Sequence, residues 1–97
     1  MTVVQIGTFK KWFDDLRDET GKAHIARRLR RIETEGFFGD CEPVGEKIFE
    51  LRIHYGPGYR VYFEKRENNT IVLVLGGGTK KTQKSDIKKA KKLAEEN

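Results

Sequence analysis

The sequence is poor in the residues that form cross-links and in long apolar runs. One of its 97 residues is a cysteine, Cys41, so no disulfide can form within the chain, and this suits a reducing cytoplasm. No charged segment followed by an apolar run opens the chain, so we expect no signal peptide. The longest apolar run, residues 71–75, is too short to span a bilayer. We therefore expect a soluble, cytoplasmic protein with no membrane partner.

Residues that commonly mark metal or nucleophile sites are also scarce. The histidines, His24 and His54, and the single cysteine show no His-x-His or Cys-x-x-Cys spacing, so we expect no metal centre and no cofactor. No serine occupies a nucleophile elbow. Residues 76–80 are rich in glycine but lack the G-x-x-x-x-G-K-[ST] spacing of a phosphate-binding loop, so they give little support for a nucleotide site.

Positive charge is abundant. Lys and Arg number 20 against 15 Asp and Glu, and the formal net charge of +5 favours an anionic partner such as nucleic acid or an acidic protein. The six Phe, three Tyr and one Trp argue for a folded chain rather than a disordered one. With 97 residues, no internal repeat and no linker, we expect a single domain, residues 1–97.

The first half of the chain predicts one strand and two helices. Residues 2–6 form a short β-branched strand, and Thr8 is placed to cap the helix that follows. The apolar stripe of this first helix recurs at helical spacing: Phe9, Trp12, Phe13 and Leu16. A second helix is predicted over residues 22–35, and because the two are closely joined, we expect them to pair antiparallel on one side of a sheet. Residues 37–45, which contain Gly and Pro, predict a loop.

The second half contains alternating strand patterns. Residues 47–55 place one set of side chains on each face of a strand: Phe49, Leu51, Ile53 and Tyr55 on one face, and Glu50, Arg52 and His54 on the other. After a Gly-Pro-Gly turn, residues 56–58, the next strand continues both faces: Val61 and Phe63 on the apolar one, and Arg60, Tyr62 and Glu64 on the other. Residues 68–69 predict a tight turn, and residues 70–75 predict a central strand buried on both sides.

The chain should end in a basic loop and a helix. Residues 76–81 predict a flexible loop, and a helix capped by Thr82 or Ser85 follows it. The elements together predict an α+β fold of order β-α-α-β-β-β-α, with a helical hairpin packed on a twisted, mainly antiparallel sheet.

Basic side chains gather on the polar face of the predicted hairpin. Arg52 and Arg60 lie on adjacent strands, and antiparallel pairing would bring both within reach of one phosphate, whose oxygens match the forked donors of a guanidinium. Lys80 and Lys81 follow the last strand and can fold over one end of the sheet. The aromatic rings of this region are candidates for stacking on unpaired bases, at about 1–3 kcal/mol per base: Tyr59 and Tyr62.

These residue types could cleave RNA through the RNA's own 2′-hydroxyl. The protein would have to remove that proton, stabilise an anionic phosphorane and protonate the leaving 5′-oxygen. Arg52 and Arg60 suit the anion, and His54 or a lysine of lowered pKa could transfer protons. A structural interpretation stays open for every one of them. The arginines could pair with neighbouring glutamates, His54 could be a surface residue, and Tyr62 could simply cover the sheet.

Several motifs, taken together, carry a family resemblance. The ELRI and GPGYRVYF segments, residues 50–53 and 56–63, are followed by a GG-x-x-K-x-TQ-x-x-DI run, residues 76–87. Further matching segments are residues 12–16 and 43–45. The sequence thereby resembles the RelE/ParE superfamily of toxins from bacterial type II toxin–antitoxin systems. It is most similar to the HigB-like, phage-derived addiction-module killer branch.

This resemblance implies growth inhibition by ribosome-dependent cleavage of mRNA, and neutralisation by a cognate helix-turn-helix antitoxin. The active-site positions of the family fall on the central strands and before the last helix, and here they hold Arg52, Arg60, Lys80, Lys81 and Gln83. The basic face of the last helix, which begins with Lys84, would suit RNA or an acidic antitoxin segment, as would residues 27–31. Some members add a catalytic Tyr or His after the last strand, but residues 83–97 contain neither. The proton donor therefore stays open, and His54 is one candidate.

Two other functions are compatible with the same sequence. A ParE-like inhibitor of DNA gyrase would share the fold and lack nuclease activity. A non-enzymatic protein that binds RNA or the ribosome would need the basic surface alone.

Overall fold

The computed structural model describes residues 1–97 and is organised around a five-stranded sheet. The strands are β1 (Thr2–Gln5), β2 (Cys41–Gly45), β3 (Ile48–Ile53), β4 (Tyr59–Arg66) and β5 (Ile71–Thr79). The helices are α1 (Gly7–Asp15), α2 (Glu19–Glu35) and α3 (Gln83–Glu96), with a 3₁₀ turn at Lys80–Thr82. The order across the sheet is β1-β5-β4-β3-β2, with β1 parallel to β5 and the other pairs antiparallel. The predicted α+β class and mainly antiparallel sheet are confirmed.

Two segments that the sequence predicts as loops form strands instead. Residues 41–45 pair with β3 as the outer strand β2, and Glu46 and Lys47 turn between them with φ of 52° and 67°. Strand β5 continues through three glycines to Thr79, paired with the start of β4, so residues 76–79 are not a flexible loop. The element order is therefore β-α-α-β-β-β-β-α. Strand β5 is internal, between β1 and β4, in keeping with its apolar run.

The helix starts differ from the predicted ones. Helix α1 begins at Gly7 with no side-chain cap, so Thr8 is not its cap. Helix α2 begins at Glu19 because the Asp18 carboxylate accepts a hydrogen bond from the Gly21 amide at 2.9 Å. The Tyr59 hydroxyl donates to the same carboxylate at 2.8 Å, and burial raises the pKa of Tyr59 to about 12. Asp18 thus joins the start of α2 to β4.

The two faces of the sheet have separate cores. Helices α1 and α2 pack on one face through Phe9, Ile25, Leu29 and Ile32, against Leu51, Ile53, Tyr59, Val61, Phe63, Val72 and Val74. Helix α3 packs on the other through Ala90, against Ile48, Tyr62, Leu73 and Leu75. The predicted apolar face of the hairpin is confirmed, and its polar face lies on the α3 side. None of the three helices has the length and apolar character needed to cross a membrane.

Candidate anion-binding site on the central strands

Two arginines face each other on neighbouring strands, close to the hairpin turn. Arg52 on β3 and Arg60 on β4 are direct partners in the antiparallel register, as the hairpin pattern predicts. Directly opposed residues in such a pair lie about 4.5–5.5 Å apart at Cβ. Two guanidinium groups on side chains that start this close repel each other when they come together, unless an anion lies near them.

Within the chain, the carboxylate of Glu50 supplies this negative charge. Glu50 is fully buried, at 0% exposure. It accepts hydrogen bonds from Arg52 Nε at 2.9 Å, from Gln83 Nε2 at 2.7 Å and from the Tyr62 hydroxyl at 3.1 Å. These donors come from β3, β4 and the first residue of α3. Glu50 therefore fixes the Arg52 side chain and ties the start of α3 to the sheet.

Arg60 is held differently. Its side chain is 9% exposed, and its Nε lies 3.8 Å from Glu50 Oε1, which is too long for a hydrogen bond. Neither Nε nor Nη1 of Arg60 has a hydrogen-bond partner. Buried polar atoms are nearly always paired, and one left unpaired costs about 1–3 kcal/mol, or more when charged. These unpaired donors make Arg60 a candidate ligand for an anion.

Lys80 stands beside this position. Its backbone amide donates to the Gly58 carbonyl at 2.8 Å, which attaches the 3₁₀ turn to the hairpin turn. Gly58 has φ +76°, and a Cβ there would lie 3.3 Å from Lys80 Cβ and 3.9 Å from Arg60 Nη1. Lys80 thus begins next to the unpaired guanidinium of Arg60, and its side chain is exposed. Lys81 and Lys84 are exposed on the same turn and on the start of α3.

The predicted stacking role of the two tyrosines is wrong for this structure. The Tyr59 ring shares a face with the apolar residues of β4, where it is 5% exposed and meets Trp12 edge to face at 6.3 Å. The Tyr62 ring lies under α3 at 0% exposure, and burial raises the pKa of its hydroxyl. Neither ring is open to a base. Gln83, a predicted RNA ligand, instead points its amide inward at Glu50.

His54 lies just beyond the end of β3, two residues after Arg52, and is exposed. Its Nε2 hydrogen-bonds the Asp40 carboxylate, and this bond lowers the pKa of Asp40. Arg28 on α2 holds the segment in place by donating to the carbonyls of Arg52, Phe38 and Asp40 at 2.6, 2.8 and 3.0 Å. The result is a histidine–carboxylate pair at one side of the arginines.

Three residues of this arrangement were not predicted to act in the site. Glu50 shares the strand parity of Arg52, which could have identified it as a member of the site rather than an optional partner. Asp40 lies in a segment predicted as a loop, and nothing in the spacing connects it with His54. From the sequence, Arg28 is one of several arginines on the polar face of α2. In the structure its guanidinium donates to the backbone carbonyls of Arg52 and Phe38.

The chain is similar to one protein family and to one bacterial protein of known sequence. The family model described as "Phage derived protein Gp49-like (DUF891)" matches residues 11–97. An uncharacterized protein of Haemophilus influenzae is 48% identical over 89 residues, covering 92% of this chain and 88% of the relative.

Solved structures of E. coli RelE share the fold. The matching chain in the intact RelBE toxin–antitoxin complex gives a TM-score of 0.66 at 14% identity, covering 80% of this chain and 94% of that one. A double arginine-to-alanine variant of RelE in the free state gives 0.67 at 15% identity, covering 90% and 88%. At these identities the likeness shows the fold alone.

Proposed function

The chain belongs to the family of phage-derived Gp49-like proteins and has the RelE fold, and from this premise we propose that it is the toxin of a toxin–antitoxin pair. Its activity is endonucleolytic cleavage of mRNA on the ribosome, in the cytoplasm, with no requirement for a metal ion. The nuclease rather than a gyrase inhibitor is favoured by the basic, largely buried site on the central strands.

The observation that carries the proposal is the state of Arg60. A nearly buried guanidinium with two unpaired donors, opposite a second arginine and beside an exposed lysine, matches the needs of a phosphate group. Fixed donors of this kind stabilise charge that develops in a transition state without reorganising. Arg60 and Arg52 would therefore hold the scissile phosphate and the phosphorane formed from it.

In the proposed reaction the 2′-hydroxyl of the RNA attacks the adjacent phosphorus as it loses its proton. The bond from phosphorus to the 5′-oxygen breaks, that oxygen takes up a proton, and the products carry a 2′,3′-cyclic phosphate and a 5′-hydroxyl. His54, oriented by Asp40, is the proposed proton-transfer group, a role worth about 10²–10⁴-fold. Lys80 would add positive charge beside the phosphorane.

The proposed protein partner is an antitoxin encoded beside the toxin. The RelE chain that this fold matches was solved in complex with the antitoxin RelB. The net charge of +5 and the exposed lysines of α3 would attract an acidic segment of such a partner. The resemblance described above predicts that it carries a helix-turn-helix domain.

The test combines growth, RNA ends and purified ribosomes. Induction of the wild-type chain should arrest growth and create new 5′ ends within mRNA, and ribosomes programmed with mRNA in a Mg²⁺ buffer should give the same ends with no other metal ion added. Arg60→Ala and Arg52→Ala should each lower cleavage by about 10²–10³-fold. Lys10→Ala, which removes an exposed charge from α1 on the opposite side of the sheet, is the matched control and should cleave normally.

Each of the remaining outcomes would support a different function. Growth arrest with no new mRNA ends, together with DNA damage, would identify a gyrase inhibitor. Binding to ribosomes without cleavage would identify a non-enzymatic RNA-binding protein. Full cleavage by the double variant Arg52→Ala/Arg60→Ala, with the fold confirmed by circular dichroism, would show that the two arginines are not needed for cleavage.

A further inference from the structure

The carboxylate of Glu50 occupies a position in which an anion would contact both arginines. Its Oε1 accepts a hydrogen bond from Arg52 Nε at 2.9 Å and lies 3.8 Å from Arg60 Nε. A phosphate that bridged the two guanidiniums through their remaining N–H donors would lie close to this carboxylate. The carboxylate is fully buried, so water screens its charge poorly.

We propose that Glu50 is an internal competitor of the phosphate, a positioning residue that orients the arginine pair and at the same time weakens its hold on any anion. The RNA phosphate as the natural ligand rests on the proposed function, but the competition itself does not. In the free protein Glu50 keeps the two guanidiniums from repelling each other. When phosphate arrives, the negative charge of Glu50 opposes it, which keeps ground-state binding weak and favours release of product.

A substitution can separate this role from a purely structural one. Glu50→Gln keeps the shape of the side chain and removes its charge. The oxygen of the new amide can still accept from Arg52, and its NH₂ group can donate to the Tyr62 hydroxyl and to the Gln83 amide once that amide turns over. The packing around Ile48 and Tyr62 on this side of the sheet should therefore survive.

The measurement is the affinity for inorganic phosphate, followed by NMR at the Nε–H signals of Arg52 and Arg60. Glu50→Gln is expected to bind phosphate about tenfold more tightly than wild type, since one buried opposing charge is gone. Glu64→Gln is the matched control. It removes the same charge from the same face of β4, about 13 Å along the strand from Arg60, where Glu64 pairs with Arg66. Its phosphate affinity should stay within about twofold of wild type.

A second variant covers a failure of the first to fold. Glu50→Asp keeps the charge but draws it back from the guanidiniums, so its phosphate affinity should fall between those of wild type and Glu50→Gln. With mRNA on ribosomes, Glu50→Gln should lower both KM and kcat, because the phosphate binds more tightly to arginines that are less well oriented.

The outcomes are distinct. A folded Glu50→Gln that binds phosphate no better than wild type overturns the competition, as does an unchanged Glu50→Asp if the glutamine variant does not fold. Loss of phosphate binding together with loss of thermal stability would reduce Glu50 to a structural residue. Tighter phosphate binding without RNA cleavage by any form of the protein would leave the competition standing and refute the nuclease instead.

Discussion

Under the proposed function, Arg60 serves the site at the expense of the fold. Its guanidinium is nearly buried, and its Nε and Nη1 have no hydrogen-bond partner. The neighbouring Arg52 donates a hydrogen bond to Glu50. Burial of a charge without full hydrogen bonding is unfavourable, and an unpaired buried donor costs about 1–3 kcal/mol. A residue kept in this condition is expected where binding a ligand matters more than stability.

Replacement of Arg60 by methionine should therefore have opposite effects on stability and activity. Arg60→Met retains the unbranched stem and removes the two unpaired donors. Because Glu50 keeps its three hydrogen-bond donors, the free energy of unfolding should rise by about 1 kcal/mol. Cleavage and phosphate binding should be lost. Urea denaturation of both proteins checks the first part, with Arg52→Met as the comparison. That variant should be destabilised, because it takes a hydrogen bond from buried Glu50. A loss of more than 1 kcal/mol in Arg60→Met would show that the guanidinium is a structural group.

Individual residues were only partly predictable from sequence. The period of two places Glu50, Arg52, Arg60 and Tyr62 on one face, and this is confirmed by the register. How deeply these side chains are buried depends on α3, which packs over that face. The alternating pattern of a strand cannot predict where a distant helix will pack. The pattern therefore predicts which side chains meet, while it misses that Tyr62 is covered and that Glu50 is the common acceptor.

At the scale of elements, β5 departs most from its prediction. Three consecutive glycines have low intrinsic strand preference, which is why residues 76–78 read as a loop. In the structure, two of the three must lack a side chain, one on each face of the strand. A Cβ on Gly77 would lie 2.3 Å from the Trp12 ring, and one on Gly78 would lie 1.8 Å from Asp86 Oδ2. The glycines let α1 and α3 approach the strand from opposite sides.

The short strand β2 escaped prediction for a related reason. Its sequence, CEPVG, contains Pro and Gly, which are depleted in strands, and its pairing with β3 is irregular between Pro43 and Gly45. An edge strand tolerates such residues because only one side of it must pair. Local sequence cannot reveal that a neighbouring strand is available to receive it.

Alanine substitutions along the glycine run test this close approach. Gly77→Ala should lower the free energy of unfolding by about 1–3 kcal/mol, since the rigid indole of Trp12 must move. Gly76→Ala is the matched control: no heavy atom lies within 4 Å of a Cβ at that position and its φ is not positive, so stability should change little. Thermal unfolding of both variants provides the comparison. Equal midpoints for the two would show that α1 does not pack on the strand at Gly77.

At the scale of the whole molecule, positive charge is concentrated around one end of the anion site. Lys80, Lys81 and Lys84 are exposed on the turn and the helix that follow β5, and Lys80 lies close to the nearly buried Arg60. Under the proposed function, the arginines would provide a specific position for one phosphate, and the lysines would provide a wider, solvated field for its neighbours. RNA affinity should therefore have a strong electrostatic component that the sequence predicts from net charge alone, without showing where it acts.

Salt titration with a short single-stranded RNA tests this division. The RNA carries 2′-methoxy groups, which prevent cleavage, and fluorescence anisotropy gives its affinity. The logarithm of the association constant should fall with the logarithm of salt concentration by about 0.7 per phosphate contacted. Lys81→Ala and Lys84→Ala should each reduce that slope by about 0.7, because each removes one exposed contact. Lys10→Ala on α1 should leave it unchanged, since α1 covers the opposite face of the sheet. Equal slopes in all three variants, or a wild-type affinity indifferent to salt, would show that the lysines near α3 do not contact RNA.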